Sequence, residues 1–253
     1  MFGSNMSPLD QFDIKGLLNI VILQFVNISI TNIGLYLTLG SLIVVTISLM
    51  NNNYNKLVIN KASVVQETVY ATIYSIVTNQ INETKGQVYF PFIYTLFIFI
   101  LANNLIGMVP YSFASTSHFI VTFSLSFTIV LGATLLGFMM HLHRFFSLLV
   151  PAGCPLALLP LLVMIEFISY LARNVSLGLR LAANILSGHM LLNILSGFTY
   201  NIMNSGILYF FVALLPLSFI IAFSGLEVGI AFIQAQVFVV LSCSYIKDGL
   251  DLH

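Results

Sequence analysis

Glu166, Arg173 and Arg180 stand seven residues apart in a stretch that is apolar from about Leu156 to Phe198. Seven steps of about 100° return to within about 20° of the start, so on a helix all three share one face. Ser176 and Asn184, four residues either side of Arg180, share it too. An Arg at the centre of a membrane helix costs about 2.5–3.5 kcal/mol on insertion scales, so such residues are usually paired or functional. Glu166 and Arg173 can form a structural ion pair along the face. For Arg180 no acid in its own segment lies nearer than Glu166, and its partner must come from another helix or another subunit. A guanidinium keeps its proton at every reachable pH. Arg180 is therefore a poor proton carrier and a good electrostatic gate. A second stripe holds Glu227, Gln234 and Asp248, spaced by seven and then fourteen residues, with Gln236 to one side. Gly225 and Gly229 bracket Glu227 as a small-xxx-small pair, whose ordinary role is to let another helix approach. A lone carboxyl in lipid favours its neutral, protonated form, which makes Glu227 a candidate proton relay. His189 titrates near neutrality. It lies nine residues after Arg180, about half a turn round the helix, and near the same outer turn as Glu227.

Membrane helices must position these groups. Of 253 residues only 8 are acidic and 8 basic, while 59% are hydrophobic, too few charges to cover a water-facing surface. That excludes a soluble enzyme, a disordered chain and a coiled coil. A net charge of zero gives no basic field for nucleic acid. Cys154 and Cys243 form no CxxC and no disulfide framework. No GxxxxGK[ST] run supports nucleotide binding, and the five His show no pairing at helical spacing, so haem or copper ligation is not expected and no cofactor is assigned. The first 15 residues carry Asp10 and Asp13 before Lys15, unlike a secretory signal or a transit peptide. Insertion through the first span is expected, which fits either a bacterial inner membrane or synthesis inside an organelle. The absence of Trp and the many Asn and Ile lean towards an AT-rich organellar genome.

Charge gaps divide the chain. An N-terminal segment, 1–29, precedes a span at about 30–50 inside a charge-free run of residues 16–55. Five charges follow between 56 and 85. There Val58, Ala62, Val65, Val69, Ile73 and Ile76 recur at spacings of 4, 3, 4, 4 and 3, which predicts an amphipathic helix over 56–81 lying flat on the membrane surface. Residues 88–140 read as a two-span hairpin, turned near Val109-Pro110-Tyr111-Ser112. Two apolar segments of about 40 residues each, within 156–248, are too long for one perpendicular crossing of a ~30 Å core. Each must be strongly tilted or broken. With the N-terminus outside, Lys56, Lys61, Lys85, Arg144 and Lys247 fall inside and Lys15 outside, which predicts N-out, C-in. The expected architecture is an all-α, single-domain membrane protein.

The run Ser169–His189 contains S-L-G-L-R-L-x-x-N-x-x-[AS]-G-H, and it closely resembles subunit a of the rotary ATP synthases. Gln234, the ending Ser244-Tyr245-Ile246-Lys247-Asp248 with Leu252-His253, and the opening Ser7-Pro8-Leu9-Asp10-Gln11-Phe12 are similar to its mitochondrial, fungal form. The resemblance covers essentially the whole chain; Ser187, where Ala is commoner, is a mild departure. It implies a proton-translocating, non-catalytic stator subunit of the membrane (Fo) sector, in the mitochondrial inner membrane. The two long helices would lie inclined beside a ring of c subunits. The family's gating arginine falls on Arg180, its amide neighbour on Asn184 and its Gln on Gln234. The outer half-channel pair falls on His189 and Glu227. Bacterial members often carry this acid and His the other way round. The inner half-channel carboxylates fall on Glu166 and Asp248, with Arg173 beside them. Implied partners are the c-ring, peripheral-stalk subunit b, small membrane subunits such as subunit 8, and lipid such as cardiolipin. A short leader, Met1–Met6, would be a processed segment. Two other classes also bury Arg, Glu and His. One is a proton-coupled secondary transporter, which usually shows two similar halves where none are visible here. The other is a structural respiratory-complex subunit.

Overall fold

A computed structural model describes residues 10–22, 26–51, 61–81, 83–109, 112–142 and 158–250. The expected leader Met1–Met6, residues 56–60, and the loop with His143, Arg144, Pro151, Cys154 and Pro155 lie outside the described residues.

Among the described residues six α-helices carry the fold: α1 (Asn32–Asn51), α2 (Lys61–Ile81), α3 (Glu83–Gly107), α4 (Phe119–His141), α5 (Leu159–Asn204) and α6 (Ile207–Leu250). Among the described residues, all but α2 are long and apolar enough to cross a membrane. Their hydroxyl side chains are satisfied within the helix, as when Thr38 Oγ1 donates to the Leu35 carbonyl (2.9 Å) and Ser41 Oγ to that of Thr38 (2.8 Å). This is what lets Ser and Thr sit in apolar spans without an unpaired polar group. The chain is a multi-pass, all-helical membrane protein apart from one feature of the N-terminal segment. There β1 (Gly16–Ile22) and β2 (Val26–Thr31) pair antiparallel as a hairpin.

α5 runs unbroken for 46 residues and α6 for 44. At 1.5 Å per residue each is about 65–70 Å long. Of the two options for these segments, tilt or a break, the break is absent. Pro160 falls in the first turn of α5, where its missing N–H costs nothing. Pro216 lies inside α6 without ending it. Between the two helices Ser205 N–H bonds the Ile202 carbonyl (3.1 Å), and Gly206 takes φ +151°, a conformation that L side chains rarely adopt.

The described residues fall into two compact units, each made of the described residues within the ranges that follow. One draws on Met1–Thr46, Phe99–His118 and Leu181–Gln234. Here α1 meets α3 where Gly40 faces the Asn103 side chain; a Cβ on Gly40 would lie 2.6 Å from Asn103 Oδ1. The other unit draws on Ile47–Ile98, Phe119–Arg180 and Ala235–His253. Its α2 buries Ile73, Val77 and Ile81 at a spacing of four, while Val65 is exposed, so the buried seam is straighter than the 4-3-4-4-3 pattern suggested. Tyr70 and Tyr74 of α2 pack edge-on against Phe90 of α3, with centroids 4.7 and 5.7 Å away. In the same unit α4 is clasped at two glycines. A Cβ on Gly178 (α5) would lie 2.9 Å from Ser126 Oγ, and one on Gly249 (α6) would lie 2.8 Å from the Ala133 carbonyl oxygen. His141 Nε2 contacts the Leu250 carbonyl at 3.0 Å, tying the end of α4 to that of α6. The contact at Gly178 has a consequence two residues on. With Asn174, Leu177 and Gly178 buried against the unit, the opposite face of α5 carries Arg173, Ser176 and Arg180 outward, and all three are exposed.

Candidate functional site

Polar side chains gather in each unit. In the first, α5 and α6 bring His189 and Glu227 together. Nε2 lies 3.8 Å from Oε1, just beyond hydrogen-bonding distance, and neither atom has another hydrogen-bond partner among the described residues. Glu227 is 6% exposed. A buried carboxyl without a bonded partner is costly when ionised, which favours its protonated form. Gly188 makes room for it, because a Cβ there would stand 2.6 Å from Glu227 Oε1 and 2.9 Å from Cδ. Gly188→Ala is expected to push the carboxyl aside and widen its separation from the imidazole, which a structure of the variant would report; an unchanged separation would show that Gly188 does not set the carboxyl's position.

One turn before Gly188, Asn184 Nδ2 donates to Gln234 Oε1 at 3.1 Å, cross-linking α5 to α6. Gln234 is buried, and its Nε2 has no partner among the described residues. His189 and Glu227 also face a cavity of about 770 Å³. Tyr36, Ser112, Phe113, Asn193 and Ser224 contribute to its wall, and so does Gln11. These wall residues were not anticipated. Asn193, one turn beyond His189, and Ser224, one turn before Glu227, stand at helical spacings that could have found them. Gly225 also lines the cavity, and neither it nor Gly229 has a helix against it here: a Cβ on either would meet nothing within 4 Å.

In the second unit, Arg173 Nη2 bonds Glu166 Oε1 at 3.2 Å, with both side chains 40–47% exposed. Tyr170 and Tyr245 meet edge-on, centroids 6.2 Å apart, and Arg173 and Asp248 lie within electrostatic reach of both rings. The Tyr245 hydroxyl is buried without a hydrogen-bond partner among the described residues. Arg180 Nη2 bonds Ser176 Oγ at 3.4 Å, a weak contact from an exposed guanidinium, while the Glu166 carboxylate further along the same face is bonded by Arg173. Among the described residues no group of three or more His, Cys, Asp or Glu is placed to hold a metal ion.

A family model described as ATP synthase A chain matches residues 34–247. The chain is similar to "ATP synthase subunit a" of Neurospora crassa, 75% identical over 248 residues that cover 98% of this chain and 95% of the relative. It is 73% identical to the protein of that name from Podospora anserina over 251 residues, covering 98% and 95%. The corresponding protein of Cochliobolus heterostrophus is 74% identical over 250 residues, covering 98% and 97%.

Proposed function

The chain belongs to the ATP synthase A chain family and is its proton-conducting, non-catalytic stator subunit, and from that premise we propose how its residues divide the work. His189 and Glu227, on the wall of the cavity, deliver protons from the outer side. The observation that carries this reading is their 3.8 Å approach, with both facing atoms left without another partner. From Glu227 a proton passes to a carboxylate on a c subunit, which is then neutral and can face lipid. Rotation of the ring carries it round to an inner path lined by Glu166, Asp248 and Arg173, where it loses the proton to water.

Arg180 acts between these events. It is exposed on the face of α5 that its own unit leaves uncovered, which suits a carboxylate arriving from a partner. An opposite charge within ~4–6 Å favours the ionised carboxyl, so Arg180 promotes release of the proton it never carries. Its fixed charge also repels a proton moving straight from one path to the other. Asn184 and Gln234 hold α5 against α6 one turn from it. The driving term is about 2.3 kcal/mol per charge per 100 mV.

In this reading the protein sits in the mitochondrial inner membrane, N-terminus outside and C-terminus in the matrix. α2 lies on the membrane surface, and α5 and α6 run strongly inclined against the c-ring. Subunit b, small membrane subunits such as subunit 8, and cardiolipin complete its surroundings. The pair is tested by exchange. The double variant His189→Glu with Glu227→His is expected to pump protons measurably faster than either single variant. A double variant no better than the singles would show that the two do not work as a pair.

A further inference from the structure

One wall of the cavity does not come from a membrane helix. A 3-10 turn, Asp10–Phe12, supplies it: Gln11 lines the cavity, and the Phe12 ring stands edge-on to the His189 imidazole, with centroids 6.5 Å apart and planes at 70°. This is the favoured T-shaped arrangement of aromatic rings. The turn is tied down immediately afterwards by the first residue of α1. Asn32 Oδ1 accepts from Lys15 N–H (3.0 Å), Asn32 Nδ2 donates to the Asp13 carbonyl (3.1 Å), and Asn32 N–H donates to the Lys15 carbonyl (3.2 Å). Phe12 therefore sits on an anchored segment.

His189 needs such a support. Its Nε2 has no hydrogen-bond partner among the described residues, so no bond at that atom holds the ring towards Glu227. A cavity of about 770 Å³ lies beside it, so close packing on that side does not hold the imidazole either. We propose that Phe12 is a positioning residue for His189, holding the imidazole towards Glu227, with Asn32 as the anchor that fixes Phe12. The N-terminal segment is then a working part of the outer proton path. This rests on the reading that His189 and Glu227 carry the protons. The titratable groups on the cavity wall are Tyr36 of α1, His189 of α5 and Glu227 of α6; Asp13, on the turn's own segment, is exposed.

The test uses the assembled complex in native membranes. ATP-driven pumping is measured as a function of outer pH for Phe12→Ala, Phe12→Leu, Phe12→Tyr, Asn32→Ala and, as the control on the reading itself, His189→Gln. Phe12→Ala is expected to pump about 3–10-fold more slowly per assembled complex, since small misplacements of reacting groups carry losses of this order and more. The midpoint of its outer-pH dependence should shift by half a unit or more. Asn32→Ala should share the shift, Phe12→Leu should recover it in part, and Phe12→Tyr should restore both rate and profile. If Phe12→Ala fails to assemble, the Leu and Tyr variants, which preserve bulk, carry the same comparison. The proposal is overturned if Phe12→Ala and Phe12→Leu keep the wild-type pH profile, whether the total rate is unchanged or falls only with the amount assembled. If His189→Gln itself pumps normally, the proton-path reading fails. If His189→Gln is dead while Phe12→Ala and Phe12→Leu behave as wild type, only the positioning role fails.

Discussion

Glu227→Gln is expected to stop ATP-driven proton pumping while leaving the complex assembled. The amide has the size and shape of the carboxyl it replaces, so the fit against Gly188 is kept and the packing of α5 on α6 need not change. What the amide lacks is a proton it can give up and take back. Positioned acid–base groups contribute about 10²–10⁴-fold to proton transfers, so the loss should be at least about 100-fold. Removing a buried carboxyl that has no bonded partner should also stabilise the chain slightly, not weaken it. Native-gel assembly at wild-type level with no pumping is therefore the expected combination. Pumping above about a tenth of the wild-type rate would remove Glu227 from the proton path.

Much of the layout can be read from residue type and spacing. Gaps in the charges mark the five apolar helices because lipid tolerates so few ionised groups. The seven-residue interval of Glu166, Arg173 and Arg180 marks one helix face because seven residues nearly close two turns. The structure adds why that face looks outward, since Gly178 presses the opposite side of α5 onto Ser126 and Phe123. His189 and Glu227 could be expected to meet because both sit near the outer turn between α5 and α6, and they stand 3.8 Å apart. Other features had no local signature. The hairpin of β1 and β2 lies in a charge-free apolar run whose composition does not distinguish strand from helix. Gln11, Phe12 and Tyr36 reach the cavity through contacts between segments far apart in sequence, and neither period nor spacing reports such contacts. The α2 seam was displaced because a period of 3.6 residues allows both three- and four-residue steps, and packing against α3 decides between them.

Arg180→Ala is expected to abolish pumping and to open a leak. The guanidinium is a permanent charge on the outward face of α5, bound within its unit only weakly, to Ser176 at 3.4 Å, whereas that of Arg173 is paired with Glu166. Removing a preorganised charge that stabilises a transferring group typically costs about 10²–10³-fold. The leak follows from the same charge. At ~10 Å and an effective dielectric of ~20, two like charges repel by about 1.7 kcal/mol, or more than about tenfold in rate. The most direct measurement is made on Arg180→Ala in native membranes: ATP-driven pumping in the intact complex, and passive proton conductance after the catalytic head is removed. The account predicts an assembled complex with no pumping and a passive conductance raised about tenfold. An assembled complex that still pumps would contradict it, and Arg180 would then be neither the gate nor the group that drives deprotonation.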